Sequence, residues 1–172
     1  MGIEQTLVVI ADASGSMEEM GKAYLARNLL RFISQLAVIE REKYAQVCFR
    51  YYAWAENIRE INNGTDNEIK PAGRCNAEDL VSTLKDFKQV SDLKCLLLSD
   101  GSFDFDGIEG WPALGIICRG IAVGVDADPR ALAWFSGGDR AYPAEDIHAV
   151  TDWLIFSVHN TNPPKHMIFP KA

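Results

Sequence analysis

Thr6-Leu7-Val8-Val9-Ile10-Ala11-Asp12-Ala13-Ser14-Gly15-Ser16, residues 6–16, decides the fold. Its first half is an almost unbroken β-branched and aliphatic run. A strand that alternates apolar and polar side chains has one wet face; this one has none, so it reads as a strand covered on both faces inside a parallel sheet. Its second half is a polar turn. A helical pattern starts near Met17, where Leu25, Leu29, Phe32, Ile33 and Leu36 recur at helical spacing as one apolar stripe. The stripe ends at the charged run Glu40-Arg41-Glu42-Lys43.

The rest of the chain repeats this grammar. Residues 45–54 form a β-rich, aromatic run, and residues 57–61 a short partner strand turned back by a hairpin at Ala55-Glu56. Residues 62–73 are loop-like. Residues 76–87 read as an amphipathic helix, with Asn76 as cap and Glu78 and Asp79 at its positive end. Lys94 to Ser99 is a second buried strand, closed by Asp100-Gly101, and residues 100–110 form an acidic, Gly-containing loop. Ile116 to Val123 is a further strand. Asp128-Pro129 opens a short helix through Phe135, with Pro in its first turn. Residues 140–142 suggest an edge strand, residues 144–156 a last helix, and residues 160–172 an extended tail with three prolines. Strands alternating with helices predict an α/β architecture with right-handed crossovers: one domain over residues 1–159 and a tail over 160–172.

Composition narrows the function classes. The chain has 172 residues, 48% of them hydrophobic, enough for a core without staples. Lys plus Arg number 17 against 24 Asp plus Glu, a net charge of -7. Such a chain repels phosphate backbones and shows no basic patch, so nucleic acid is not an expected partner. No apolar run approaches the roughly 18–20 residues of a bilayer span, and no membrane partner is expected. Residues 1–6 fit the MGxxx[ST] acylation pattern, but no polybasic segment follows, and Gly2 reads as simply the second residue. Cys48, Cys75, Cys95 and Cys118 form no CxxC pair. Free thiols without a signal-peptide core suggest a reducing, cytoplasmic setting.

The chemistry gathers at two strand ends. Asp12 follows the first buried strand and Asp100 the later one, and ligands of open α/β sheets bind beyond such ends. Two carboxylates brought together repel unless a proton or cation sits between them. Ser14 and Ser16 stand beside Asp12. These are hard oxygen donors with few carboxylates, which suits Mg²⁺, with Mn²⁺ also compatible.

Asp12-Ala13-Ser14-Gly15-Ser16 matches a DxSxS motif, and Leu96-Leu97-Leu98-Ser99-Asp100-Gly101 a strand ending in [ST]DG. Together they resemble the von Willebrand factor A (vWA) domain and its metal-ion-dependent adhesion site, over about residues 4–157. The resemblance implies a doubly wound, mostly parallel central sheet with one antiparallel edge strand and helices on both faces. It implies that Ser14 and Ser16 ligate the metal directly, with Asp12 and Asp100 as direct or water-mediated ligands. It also implies a partner protein offering an Asp or Glu as a further ligand. One feature departs from the pattern: the family's loop Thr is replaced by either Arg74 or Cys75. A guanidinium cannot coordinate and a thiol is soft. The departure implies a weakened or metal-free site, in which Arg74 is a candidate to place its own cation against Asp12 and Asp100. Ser102, Phe103 and Asp104 are candidates, with Arg74 and Cys75, for the rim or for partner contact.

Plainer roles compete at each position. Ser14 and Ser16 suit a helix cap. Asp104 and Asp106 suit a solvated loop, and Phe103 and Phe105 suit packing beneath it. His148, His159 and His166 lack ligand spacing. The tryptophans suit core or half-buried positions. The expected function is a non-enzymatic protein-binding module. The alternatives are a Mg²⁺-dependent phosphatase of the haloacid-dehalogenase type, whose second Asp would fall where Ser14 stands, and a metal-free pseudo-site. The stretch Trp153-Leu154-Ile155-Phe156-Ser157-Val158 is similar to bacterial vWA proteins of tellurite-resistance-type operons. That likeness implies an intracellular scaffold in a stress response, beside ATPases, kinases or phosphatases.

Overall fold

β1 (Gln5–Asp12) lies in the middle of the sheet, and the computed structural model explains why its sequence carries no polar alternation. The structure describes residues 5–62, 69–87, 93–106, 108, 115–138 and 140–157. Leu7, Val9 and Ala11 point into one core, packed by Ala26, Leu30 and Ile33 and by Val150 and Leu154. Val8 and Ile10 point into another, packed by Leu80, Leu84, Leu132 and Phe135. Burial on both faces removes any reason for a polar position.

The elements in chain order are β1, a 3-10 segment (Gly15–Gly21), α1 (Lys22–Ile39), β2 (Val47–Trp54), β3 (Ile58–Ile61), α2 (Ala77–Phe87), β4 (Leu93–Ser99), β5 (Ile117–Ala122), α3 (Pro129–Phe135), β6 (Tyr142–Pro143), a short 3-10 turn (Ala144–Asp146) and α4 (Ile147–Phe156). Among the described residues the sheet has six strands in the order β3-β2-β1-β4-β5-β6. β3 runs antiparallel to β2, and every other neighbouring pair is parallel. The chain therefore steps outward from β1 in one direction, returns, and steps outward from β4 in the other. The crevice at that reversal opens between the carboxyl ends of β1 and β4. Ala11 lies opposite Leu98 there, so Asp12 comes level with Ser99, and Asp100 follows one residue on.

Three local differences from the sequence reading have physical causes. The helix expected from Met17 is broken: Glu19 is extended, and Met20 and Gly21 take positive φ of 52° and 74° before α1 begins. Gly21 adopts that conformation without a Cβ penalty. The restart makes Lys22 the first residue of α1. Phe32 sits at the edge of the apolar stripe, 38% exposed, with its ring edge on His148. The expected strand at 140–142 is reduced to β6, Tyr142–Pro143, and Pro143 has no N–H to carry the ladder further. The tail 160–172, Trp111, His159 and His166 lie outside the described residues. No helix among the described residues is long and apolar enough to cross a membrane.

Candidate functional site

Backbone hydrogen bonds tie four loops together above β1 and β4. Ala13 N–H donates to the Trp54 carbonyl (2.7 Å), Ala72 N–H to that of Ala13 (2.8 Å), and Gly15 N–H to that of Gly73 (3.0 Å). These bonds hold residues 71–75 against the DxSxS turn. Asp128 N–H donates to the Asp100 carbonyl at 2.7 Å, which fastens the start of α3 to the end of β4. Gly101 is required at that junction. Its φ is +75°, and a Cβ there would stand 2.5 Å from the Asp128 carbonyl oxygen.

The two acids meet as the strand ends predict, but both are fully buried. Asp12 Oδ1 accepts from Ser14 N–H (2.8 Å) and from the Cys75 thiol (3.3 Å), and Oδ2 accepts from the Ser99 hydroxyl. Burial raises the Asp12 pKa above the ordinary carboxylate value, against the opposing pull of the Ser99, Ser14 and Cys75 hydrogen bonds. Asp100 is committed on both oxygens. Oδ1 accepts from Ser102 N–H at 2.9 Å, and Oδ2 from the Lys22 ammonium at 2.9 Å.

Lys22 is the residue that sequence reasoning missed. It is 2% exposed, and its Nζ also lies 2.8 Å from an Asp126 carboxylate oxygen. Burial alone would lower its pKa; the hydrogen bonds to Asp126 and Asp100 outweigh this and hold it above the usual lysine value. The sequence carried no signal for it: only the break at Met20 and Gly21 makes Lys22 the first residue of α1, where a cation faces the positive end of the macrodipole and needs an acid nearby. The sequence reading named Arg74 as a candidate for that cation; Arg74 is exposed at the rim, and Lys22 takes the place against Asp100.

Of the two candidates for the missing Thr position, Cys75 is the one turned inward. Its thiol donates to Asp12 and to the Trp54 carbonyl (3.2 Å). Burial, then the charge of Asp12, pushes the thiol well above its ordinary value, so it stays protonated and is a poor ligand and nucleophile. Ser14 and Ser16 hold their hydroxyls 3.0 Å apart. They line a cleft of ≈ 390 Å³ together with Gly73, Arg74, Cys75, Ser102, Phe103 and Asp104. Ser102 and Asp104 are exposed. Phe103 is a wall of the cleft rather than an exposed contact: it is 7% exposed and packs edge-on against Trp54 at 5.0 Å. Asn76 caps α2 by accepting from Glu78 N–H.

The donor set fits a hard cation in part. Two ligands at right angles on an octahedral Mg²⁺, each about 2.1 Å away, stand about 3.0 Å apart, which is the spacing of the Ser14 and Ser16 oxygens. Asp12 stands directly behind them. Asp100 does not fit as a free ligand, because an ammonium already faces it. Among the described residues no three His, Cys, Asp or Glu side chains form a metal-holding group.

Comparison with solved structures bears on the fold. The chain superposes on the vWF domain of the type V pili tip protein Mfa5 from Porphyromonas gingivalis with a TM-score of 0.67. Identity is 8%, over 96% of this chain and 100% of that one. It also superposes on a von Willebrand factor type A protein from Catenulispora acidiphila, with a TM-score of 0.58 and 17% identity over 90% of this chain. The fold is that of a vWA domain. A third likeness is to proximal thread matrix protein 1 from the mussel byssus, in a structure with a zinc-occupied MIDAS motif. Its TM-score is 0.55, at 13% identity over 88% of this chain. This chain spans 43% of the Catenulispora protein's length and 44% of the mussel protein's. No family model and no curated protein sequence matches the chain.

Proposed function

We propose that this vWA fold is a protein-interaction module whose cleft receives an acidic side chain of a partner protein. The bridge is a divalent cation, Mg²⁺ or Mn²⁺, held by Ser14 and Ser16 with Asp12 behind them. The observation that carries the reading is the pair of hydroxyls 3.0 Å apart at the mouth of the cleft. The mussel protein's zinc-occupied motif supports it by likeness of fold. When bound, the cation would add positive charge beside that of Arg74 at the rim of the cleft. The chain's own residues do the rest. Ser14 N–H and the Ser99 hydroxyl fix the Asp12 carboxylate next to the turn that carries the hydroxyl pair. Phe103, packed edge-on against the buried Trp54 ring, gives the cleft an apolar wall.

A hydrolytic reading finds less support. A phosphatase nucleophile must reach substrate, and Asp12 is fully buried with both oxygens engaged. Ser14 offers no acid in the general-acid place. A phosphatase assay with Mg²⁺ is expected to show no turnover. The metal-free reading has a specific observation behind it, the Lys22–Asp100 pair. The intracellular bacterial scaffold role, the tellurite-resistance-type setting and ATPase, kinase or phosphatase partners rest on the sequence resemblance alone.

The test is calorimetric titration with Mn²⁺ and Mg²⁺, followed by an Asp-containing peptide. Binding of both is expected, with EDTA and Ser14→Ala each abolishing peptide capture. Capture that persists unchanged through both treatments refutes the metal bridge.

A further inference from the structure

Lys22 is placed with more care than a chance ion pair needs. Its stem lies in a groove left open by Gly124, whose φ is +100°. A Cβ at Gly124 would stand 3.1 Å from Lys22 Cγ, 3.2 Å from Cε and 3.0 Å from Asp126 Oδ1. The lysine, its two carboxylate partners and the glycine cradle come from three segments: the start of α1, the end of β4 and the loop after β5. The ammonium is buried against Asp100, the neighbour of Ser99 whose hydroxyl donates to Asp12, and it is not among the residues that line the cleft.

We propose that Lys22 is a resident counter-cation that competes electrostatically with a divalent ion at this site. It thereby determines that the bare ion binds weakly and that the site completes itself with a partner's carboxylate. The inference rests on the metal-bridge reading above and deepens it. Counted as ionised, Asp12, Asp100, Asp126 and the cleft's Asp104 carry four negative charges and Lys22 and the cleft's Arg74 two positive, leaving a local balance of about two negative. A divalent ion then brings the site to neutrality, and a further anion is not repelled. Without Lys22 the same ion would leave one negative charge in excess. It would bind more tightly, but the partner's carboxylate would meet net repulsion. Lys22 is a positioning and specificity residue here; it touches neither metal nor partner.

Mn²⁺ affinity, measured by calorimetry on the full chain, tests this with Lys22→Met, Asp100→Asn and the double variant Lys22→Met/Asp100→Asn. Lys22→Met is expected to bind Mn²⁺ at least tenfold more tightly than the wild type. The double variant is expected to bind at least tenfold more tightly than Asp100→Asn alone. That second comparison leaves no buried carboxylate unpaired, so it stands even if Lys22→Met fails to fold. In the tighter-binding variant, capture of an Asp-containing peptide at saturating Mn²⁺ is expected to fall at least threefold. Equal Mn²⁺ affinities across either comparison, with folded proteins, would overturn the role of Lys22 and leave the metal bridge standing. No Mn²⁺ binding by any of the four proteins would overturn both.

Discussion

Replacing Cys75 with Ser is expected to convert a weak divalent site into a stronger one. The thiol faces Asp12 Oδ1 at 3.3 Å and the Trp54 carbonyl at 3.2 Å, and it also lies within hydrogen-bonding reach of Ser14. A serine hydroxyl there would be a third hard oxygen beside the Ser14 and Ser16 pair. It would take over the donation to Asp12, and a hydrogen bond to a charged acceptor contributes about 1.5–3 kcal/mol where a thiol donates only weakly. The side chain is 8% exposed and keeps nearly its shape, so the fold is expected to change by no more than about 1 kcal/mol. Gaining one inner donor is expected to be worth roughly 1.4 kcal/mol, a tenfold rise in Mg²⁺ affinity. The preference of Zn²⁺ over Mg²⁺ should fall at the same time, because the soft donor is gone. Calorimetric titration of both proteins with Mg²⁺, Mn²⁺ and Zn²⁺, beside a thermal melt, makes the comparison. Unchanged or weaker Mg²⁺ binding in a variant that melts like the wild type would refute the placement of the ion at this corner.

Other outcomes follow from the same geometry. Asp100→Asn leaves a 2%-exposed ammonium with Asp126 alone, and is expected to cost about 3 kcal/mol, a drop of roughly 6–12 °C in Tm. Asp126→Asn removes a partner that is 44% exposed and should cost clearly less; equal losses in the two variants would contradict the burial argument. Gly101→Ala meets both a positive φ and a carbonyl oxygen 2.5 Å away, whereas Gly137→Ala, at φ +71°, meets nothing within 4 Å. Denaturant unfolding should show about 1–2 kcal/mol lost at Gly137 and clearly more at Gly101. Burial holds the Tyr51 and Tyr52 phenols up at about 12, against 10 when unfolded. Their neutral forms therefore stabilise the fold fully below pH 10, and that contribution is lost as pH rises towards 12. Absorbance at 295 nm should show both titrating late and together with unfolding; a midpoint near 10 in the folded protein would remove the contribution and refute the burial argument.

The sheet was legible because its signals are local. Residues 6–11 announce a doubly covered strand by lacking alternation, Pro129 and Asp128 mark α3, and residues 57–61 announce a hairpin. The meeting of Asp12 and Asp100 was legible because parallel strands of an open sheet end at the same side. The break at Met20 was not, since a short apolar-polar stretch supports a helix until tertiary contacts decide otherwise. Nor could sequence choose between Arg74 and Cys75. They are adjacent, and the hydrogen bonds from Gly15 and Ala72 decide which one turns inward. Phe103 stood in an acidic loop that looked wet, and only the Trp54 ring beneath it shows why it is buried.

Lys22 links these strands of reasoning. Two buried carboxylates at the tips of neighbouring strands demand positive charge, and the sequence reading supplied it with a metal, or with the nearest arginine in the loop. The fold supplies it from the helix that begins where the DxSxS turn ends. Breaking the helix at Met20 and Gly21 is what lets that lysine start α1 and reach back to Asp100. A helix running unbroken from Met17 would place residue 22 inside its second turn rather than at its start. The backbone irregularity and the buried ion pair are therefore one feature. Straightening the turn by Gly21→Ala, which favours right-handed helix, is expected to loosen the Lys22–Asp100 contact as well as to strain the chain. In that variant Mn²⁺ affinity should rise while Tm falls, a pairing that a purely structural role for Gly21 does not produce.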